Sequence, residues 1–87
     1  MKKLMLDGKA LGDMRFWLAS DRRTLDKVFR LMEEVSRTPF DGTGKPEPLR
    51  GDKRGRWSRR ITDEHRMVYE VTDKFIIVHS LRGHYEN

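Results

Sequence analysis

The 87-residue sequence predicts an α+β fold: two helices packed on one face of a twisted, mostly antiparallel four-stranded sheet, in the order β-α-α-β-β-β. Three observations predict it. Apolar residues recur at helical spacing between positions 10 and 35. A stretch rich in proline and glycine, residues 38–55, then interrupts the chain. Runs of period two fill residues 56–81. The length suits one domain over residues 1–87. A domain of this size buries roughly 60% of its unfolded surface, enough for one modest core.

Taken in order, Lys2–Leu6 is short, apolar and bounded by Asp7-Gly8, which suits a strand. Asp7 can cap the helix that follows. In that helix Ala10, Leu11, Met14, Trp17 and Leu18 fall at helical spacing. Ser20 and Asp21 offer a second N-cap. Leu25, Val28, Phe29, Met32 and Val35 then form an apolar stripe at i, i+3, i+4, i+7 and i+10. Pro39 disfavours helix in the residue before it, so this helix should stop near Arg37. Residues 38–55, TPFDGTGKPEPLRGDKRG, hold all three prolines and four of the seven glycines and read as a loop. A connection of that length inside a compact domain is often functional. Strands are expected over Arg56–Ile61, His65–Thr72 and Lys74–Leu81, with a tight turn at Asp73-Lys74.

Strand parity assigns the faces. Trp57, Arg59 and Ile61 share one side and Ser58 and Arg60 the other; Met67, Tyr69 and Val71 oppose Arg66, Val68 and Glu70. With the helices over Trp57, Met67 and Tyr69, Arg60 and Arg66 stand on the uncovered face. If the last strand keeps the same parity, Arg82 and His84 join them. Trp57, Tyr69 and Phe29 are expected between helices and sheet. His79, on an apolar strand face, is expected to be a packed core histidine, and His65 to cap or solvate its turn.

The charge is uneven. The net is +2 over residues 1–44, +4 over 45–66 and −1 over 67–87, within a total of +5. Such a local excess is an electrostatic footprint for phosphate, and a solvated loop accounts for it equally well. There are no cysteines, which excludes disulfides and thiolate metal sites and suits a reducing cytoplasm. The opening MKKLML is too short for a signal core or a membrane span. A soluble cytoplasmic protein without membrane association is expected. GTGKPE is not a phosphate loop: Pro39 stands where the first glycine belongs and Pro46 replaces the hydroxyl residue. The three histidines lack metal spacing, and neither metal nor cofactor is expected.

What remains is Glu47 in the loop, Arg60 and Arg66 on the open face, and His84 near the end. A base for a 2′-hydroxyl, an acid for a leaving 5′-oxygen and guanidiniums for the phosphate suffice to cleave RNA without metal. From spacing alone, Glu47 reads equally as a surface acid between two prolines.

RTPFDGTGKPEPLRG, WSRRITDEHRMVY and the terminal RGHY resemble the YoeB branch of the RelE/ParE superfamily of bacterial toxin–antitoxin toxins. The likeness is tight from Arg37 to Tyr85 and loose before Ser20. It implies the RelE-like fold and an mRNA interferase, an endoribonuclease that cleaves the message in the ribosomal A site. By matching position it implies Glu47 as general base, His84 as general acid and Arg66 on the phosphate. Arg60 and Arg50 would help bind it and Tyr85 would contact the RNA; apart from the resemblance, the basic excess adds Lys45, Lys53 and Arg54 as a rim expected to bind RNA. The likeness implies as partners a YefM-like antitoxin with a disordered acidic tail, the ribosome with its A-site mRNA, operator DNA when the antitoxin is bound, and a possible homodimer. Arg50 stands where the family often has lysine, which changes the hydrogen-bond fork. Glu86-Asn87 extends beyond a common His-Tyr end and adds a carboxylate near His84. Two other classes use the same fold: a non-enzymatic, ParE-like gyrase inhibitor and a nucleic-acid-binding module. Neither needs Glu47, Arg66 and His84 together.

Overall fold

The structure, a computed structural model, describes residues 1–84. β1 (Lys3–Leu6) leads into α1 (Gly8–Ser20) and α2 (Arg22–Arg37). β2 (Glu47–Pro48), a 3-10 turn (Gly51–Lys53), β3 (Arg56–Arg60), β4 (Arg66–Val71) and β5 (Phe75–Ser80) follow. The sheet order is β1-β5-β4-β3-β2, with β1 parallel to β5 and every other pair antiparallel. The sheet therefore has five strands where four were expected. The addition is β2, whose two residues pair Glu47 with Ser58 and Pro48 with Trp57. Pro46 and Pro48 hide it in the sequence, since proline is tolerated only at a sheet edge, and β2 lies at one.

Of the two expected side-chain caps, one forms. Asp21 accepts from the Thr24 hydroxyl at 2.7 Å and the Thr24 N–H at 3.2 Å, which caps α2. Those bonds, the hydroxyl's first, hold the Asp21 carboxyl below the usual carboxylate range. Asp7 sits at the N-cap of α1 but makes no capping bond; its carboxylate turns to His79 instead. α2 ends at Arg37, two residues before Pro39. No helix among the described residues is long and apolar enough to cross a membrane.

The core lies between the helices and one sheet face. Ala10 and Trp17 of α1 and Val28, Leu31, Met32 and Val35 of α2 meet Ile61, Met67, Tyr69, Ile76, Val78 and Leu81. Tyr69 is fully buried and Trp57 half-buried, as parity predicted. Phe29 is not in this core: it is 46% exposed. One residue advances a helix by about 100°, so with Val28 facing the sheet, Phe29 turns to the flank.

The last strand breaks the expected alternation. Val68 pairs with Ser80 but Tyr69 pairs with Val78, so β5 carries one extra residue, His79. A bulge of this kind resets the side-chain alternation. Ile76 and Val78 face the core, and after the bulge Leu81 does too. His79 is consequently no core histidine. Its ring sits between Glu70 (Nε2–Oε1, 2.9 Å) and Asp7 (Nδ1–Oδ2, 3.4 Å). Arg82 does not join Arg60 and Arg66; its guanidinium lies 3.5 Å from the centre of the Phe16 ring on α1.

Candidate functional site

A buried arginine shapes the loop that carries Glu47. Parity put Arg59 on the helix-covered side, and it is fully buried there. A guanidinium has five N–H donors and cannot shed its charge, so burial requires partners for all of it. Nε donates to the Tyr69 hydroxyl at 3.2 Å. Nη1 donates to Glu34 Oε2 at 2.7 Å and to the Thr43 carbonyl at 3.3 Å. Nη2 donates to the carbonyls of Thr38 and Asp41. The Tyr69 hydroxyl in turn donates a hydrogen bond to the Pro39 carbonyl at 2.6 Å. Residues 38–43 are thus wrapped around one cation. Burial works against the Glu34 carboxylate, but the Thr43 hydroxyl and N–H together with Arg59 outweigh it, and its pKa falls below the ordinary value. Burial raises the Tyr69 pKa, and Arg59 offsets part of that rise.

From this wrap the chain passes onto the sheet. The Gly44 carbonyl accepts the Arg60 N–H at 2.7 Å. A Cβ on Gly44 would sit 2.8 Å from the Arg60 carbonyl oxygen, and its φ is +86°, so glycine alone fits here. This contact sets Lys45 next to β3, and β2 follows with Glu47 opposite Ser58.

Paired residues share a face, so Glu47, Ser58 and Arg66 lie together on the face away from the helices. Arg66 Nε donates to Ser58 Oγ at 3.1 Å, and Nη2 reaches Glu47 Oε1 at 3.1 Å. The Arg66 side chain is 13% exposed and that of Glu47 53%, so the guanidinium is held while the carboxylate faces solvent. Arg60 stands opposite Arg66 in the ladder and is exposed.

The C-terminal segment reaches the same corner. The Arg66 N–H donates to the Gly83 carbonyl at 2.9 Å, and the Gly83 N–H donates to His65 Nδ1 at 3.0 Å. Further back, Asp13 Oδ2 accepts the Leu81 N–H at 2.9 Å and Trp17 Nε1 donates to the Leu81 carbonyl at 2.9 Å. His84 follows Gly83 directly and is exposed.

Glu47, Arg66 and the residue before His84 are therefore brought together. Lys45 and Arg60 border them. Arg50 and Arg54 are exposed and Lys53 half-buried on the connection between β2 and β3, past the edge strand. Tyr85, Glu86 and Asn87 lie outside the described residues. Sequence reasoning missed four supports: Ser58 under Arg66, Arg59 inside the loop, and Asp13 and His65 on the C-terminal segment. Signals existed for two of them: Ser58 shared the open parity with Arg60, and Arg59 was a lone charge on a buried parity.

A helix pair on a mixed sheet whose other face carries an aimed arginine is the architecture expected of the RelE-like fold. Residues 6–85 match the family model described as YoeB-like toxin of bacterial type II toxin-antitoxin system. The chain is 48% identical over 85 residues to Toxin RelK of Mycobacterium tuberculosis, covering 98% of this chain and 100% of that one. The structure is similar to a YoeB/ParE toxin from Agrobacterium tumefaciens, with TM-score 0.91 and 46% identity over 95% and 99% of the two chains. It is also similar to the Staphylococcus aureus YoeB, seen as a dimer (TM-score 0.89, 33% identity, 97% and 98% covered). A YoeB–YefM complex from Staphylococcus aureus gives TM-score 0.86 and 31% identity, with 98% and 99% covered. The chain belongs to the YoeB family of toxins from bacterial type II toxin–antitoxin systems.

Proposed function

We propose that this toxin is a ribosome-dependent endoribonuclease that cleaves mRNA in the A site and thereby stops translation. One observation carries the reading. Arg66 reaches Glu47 with its side chain and Gly83 with its backbone, which gathers a carboxylate, a guanidinium and the residue preceding an imidazole at one corner.

Glu47 takes the 2′-hydroxyl proton, and the 2′-oxygen attacks the adjacent phosphorus. The bond from phosphorus to the 5′-oxygen breaks, leaving a 2′,3′-cyclic phosphate on the upstream fragment. The His84 imidazolium gives its proton to the departing 5′-oxygen, which leaves as a hydroxyl. Arg66, already aimed by Ser58, exchanges Glu47 for the phosphate and stabilises the charge on its oxygens. Lys45, Arg50, Lys53, Arg54 and Arg60 attract and hold the backbone, and Tyr85 contacts the RNA. Residues 1–87 act as one domain, working in the cytoplasm where ribosomes are. The partner is a YefM-like antitoxin whose acidic tail covers the basic face, a reading supported by the YoeB–YefM complex of the S. aureus relative. With that antitoxin the toxin takes part in operator binding, and without it the toxin pairs as a homodimer, as the S. aureus YoeB does.

The test is to induce the parent, Glu47→Gln and His84→Gln in a bacterial host and to map mRNA 5′ ends. New ends should appear inside translated codons for the parent and fall by about 10²–10⁴-fold for each variant. Cleavage at the parental level by both variants sinks the mechanism. Growth arrest by the parent without new 5′ ends would point instead to a non-enzymatic inhibitor of the ParE type.

A further inference from the structure

Lys9 and Ser80 hold the Arg82 carbonyl of the C-terminal segment, and the residues on either side of it, Leu81 and Gly83, are each gripped at both polar groups, the second of them by a histidine outside the proposed chemistry. At the first, α1 grips both polar groups of Leu81: Asp13 takes its N–H and Trp17 supplies a donor to its carbonyl. At the second, the last residue of the β3–β4 turn and the first of β4 grip both polar groups of Gly83. Arg66 supplies the donor and His65 the acceptor. His65 is itself well fixed. Thr62 Oγ1 accepts its backbone N–H at 3.1 Å, and its carbonyl accepts the N–H groups of Ile61 and Thr62. Its ring meets Trp17 edge to face, with centroids 4.8 Å apart and planes at 81°. A ring nitrogen that accepts an N–H carries no proton, so His65 holds Gly83 as the neutral imidazole with its proton on Nε2.

We infer that His65 is a positioning residue for His84: its Nδ1 fixes Gly83 and so sets where the adjacent imidazole meets the leaving 5′-oxygen. This rests on His84 being the general acid. The exposed His84 borrows its placement from the anchored residues before it, because an exposed side chain has little packing of its own to hold it. Misplacing a catalytic group by about 1 Å can cost on the order of a hundredfold in rate. Loss of the Gly83 anchor should therefore slow the proton-donation step and leave RNA binding alone, since His65 points at the protein and not at the open face.

Three substitutions separate the acceptor from the ring. His65→Phe keeps a ring against Trp17 and removes the acceptor. His65→Asn puts an oxygen close to the place of Nδ1, and His65→Gln puts one nearer the place of Nε2. Single-turnover cleavage is measured on ribosomes carrying mRNA with an ordinary 5′-oxygen or a 5′-sulfur at the scissile phosphate, beside the parent and His84→Gln. A sulfur leaving atom needs little acid help. On the oxygen substrate His65→Phe and His65→Gln should slow cleavage by about 10–100-fold with unchanged ribosome affinity, and His65→Asn by only a few-fold. On the sulfur substrate all should approach the parent, as should His84→Gln. Amide exchange at Gly83 should quicken in His65→Phe and not in His65→Asn, which reads the anchor without reference to chemistry. Parental cleavage of the oxygen substrate by His65→Phe overturns the inference. So does a His65→Phe deficit that survives on sulfur while that of His84→Gln vanishes. If sulfur fails to rescue His84→Gln, the acid assignment falls, and the positioning role with it.

Discussion

Replacing Arg59 by Met should unfold this protein well below the melting temperature of the parent. The side chain is fully buried and spends five hydrogen bonds on Tyr69, Glu34, Thr43, Thr38 and Asp41. Methionine fills much of the same volume, so the loss is electrostatic more than steric. It leaves three carbonyls without their donor in a space shaped for a cation, and leaves the Glu34 carboxylate with Thr43 alone. Removing one partner of a buried pair costs about 3–5 kcal/mol. A chain of this length has a total stability of roughly 4–13 kcal/mol, so the change takes about a quarter of it or more. At about 4–8 °C per kcal/mol for a domain this small, Tm should fall by at least about 12 °C. Arg59→Lys keeps the charge but can span only part of the cluster, and should fall between. The assay is thermal unfolding followed by circular dichroism, with Glu34→Gln and the double variant alongside. The double variant should cost less than the two single changes added, because the carboxylate left without its cation is gone. A Tm drop under about 5 °C for Arg59→Met, or strict additivity, would show that the cluster is not what holds residues 38–43. Cleavage should also drop at temperatures where Arg59→Met is still folded, since the same loop delivers Glu47.

Acid should weaken the same cluster in a defined window. The folded-state pKa of Glu34 lies below its ordinary value of 4.5, so ionisation stabilises the fold; the contribution is complete above that value and is lost as pH falls through the lowered one. The Tm advantage of the parent over Glu34→Gln should therefore be flat from neutral pH down to about 5 and shrink below that, and a constant difference down to acid unfolding would contradict it. Arg66→Lys keeps charge but loses the fork shared by Ser58 and Glu47, so single-turnover cleavage should suffer more than ribosome affinity, while Lys53→Ala should weaken affinity and flatten its salt dependence. Normal cleavage by Arg66→Lys would reduce the arginine to a point charge. Phe29→Ala should change stability by less than about 1 kcal/mol, whereas Leu31→Ala should cost about 2–5 kcal/mol, because only Leu31 faces the sheet. Denaturant melts of the two would reverse this ranking if α2 were rotated from its described position.

The sequence by itself determined what depends on neighbours a few residues apart. Helical spacing and the Asp21 cap set α2 and its end before Pro39; period two set β3 and β4 and sent Arg60 and Arg66 away from the helices. Those outcomes follow from backbone geometry, which repeats every 3.6 or 2.0 residues regardless of what lies across the fold. The quoted motifs, through their family likeness, also picked out Glu47 and His84 as candidates, though nothing local said they lie near one another. Tertiary structure decided the rest. The two residues of β2 form a strand only because the β3 edge is there to receive them. The extra residue at His79 appears only when β5 is laid against β4, and it turned Leu81 inward and sent Arg82 to Phe16. Phe29 and Val28 are equally apolar, and the sheet's position chose between them. Arg59, a charge on a buried parity, became stable only when five groups from residues 34 to 69 closed around it. The corner that joins Glu47, Arg66 and Gly83 spans 36 residues of chain, and hydrogen bonds over such separations are settled by packing, which no local pattern encodes.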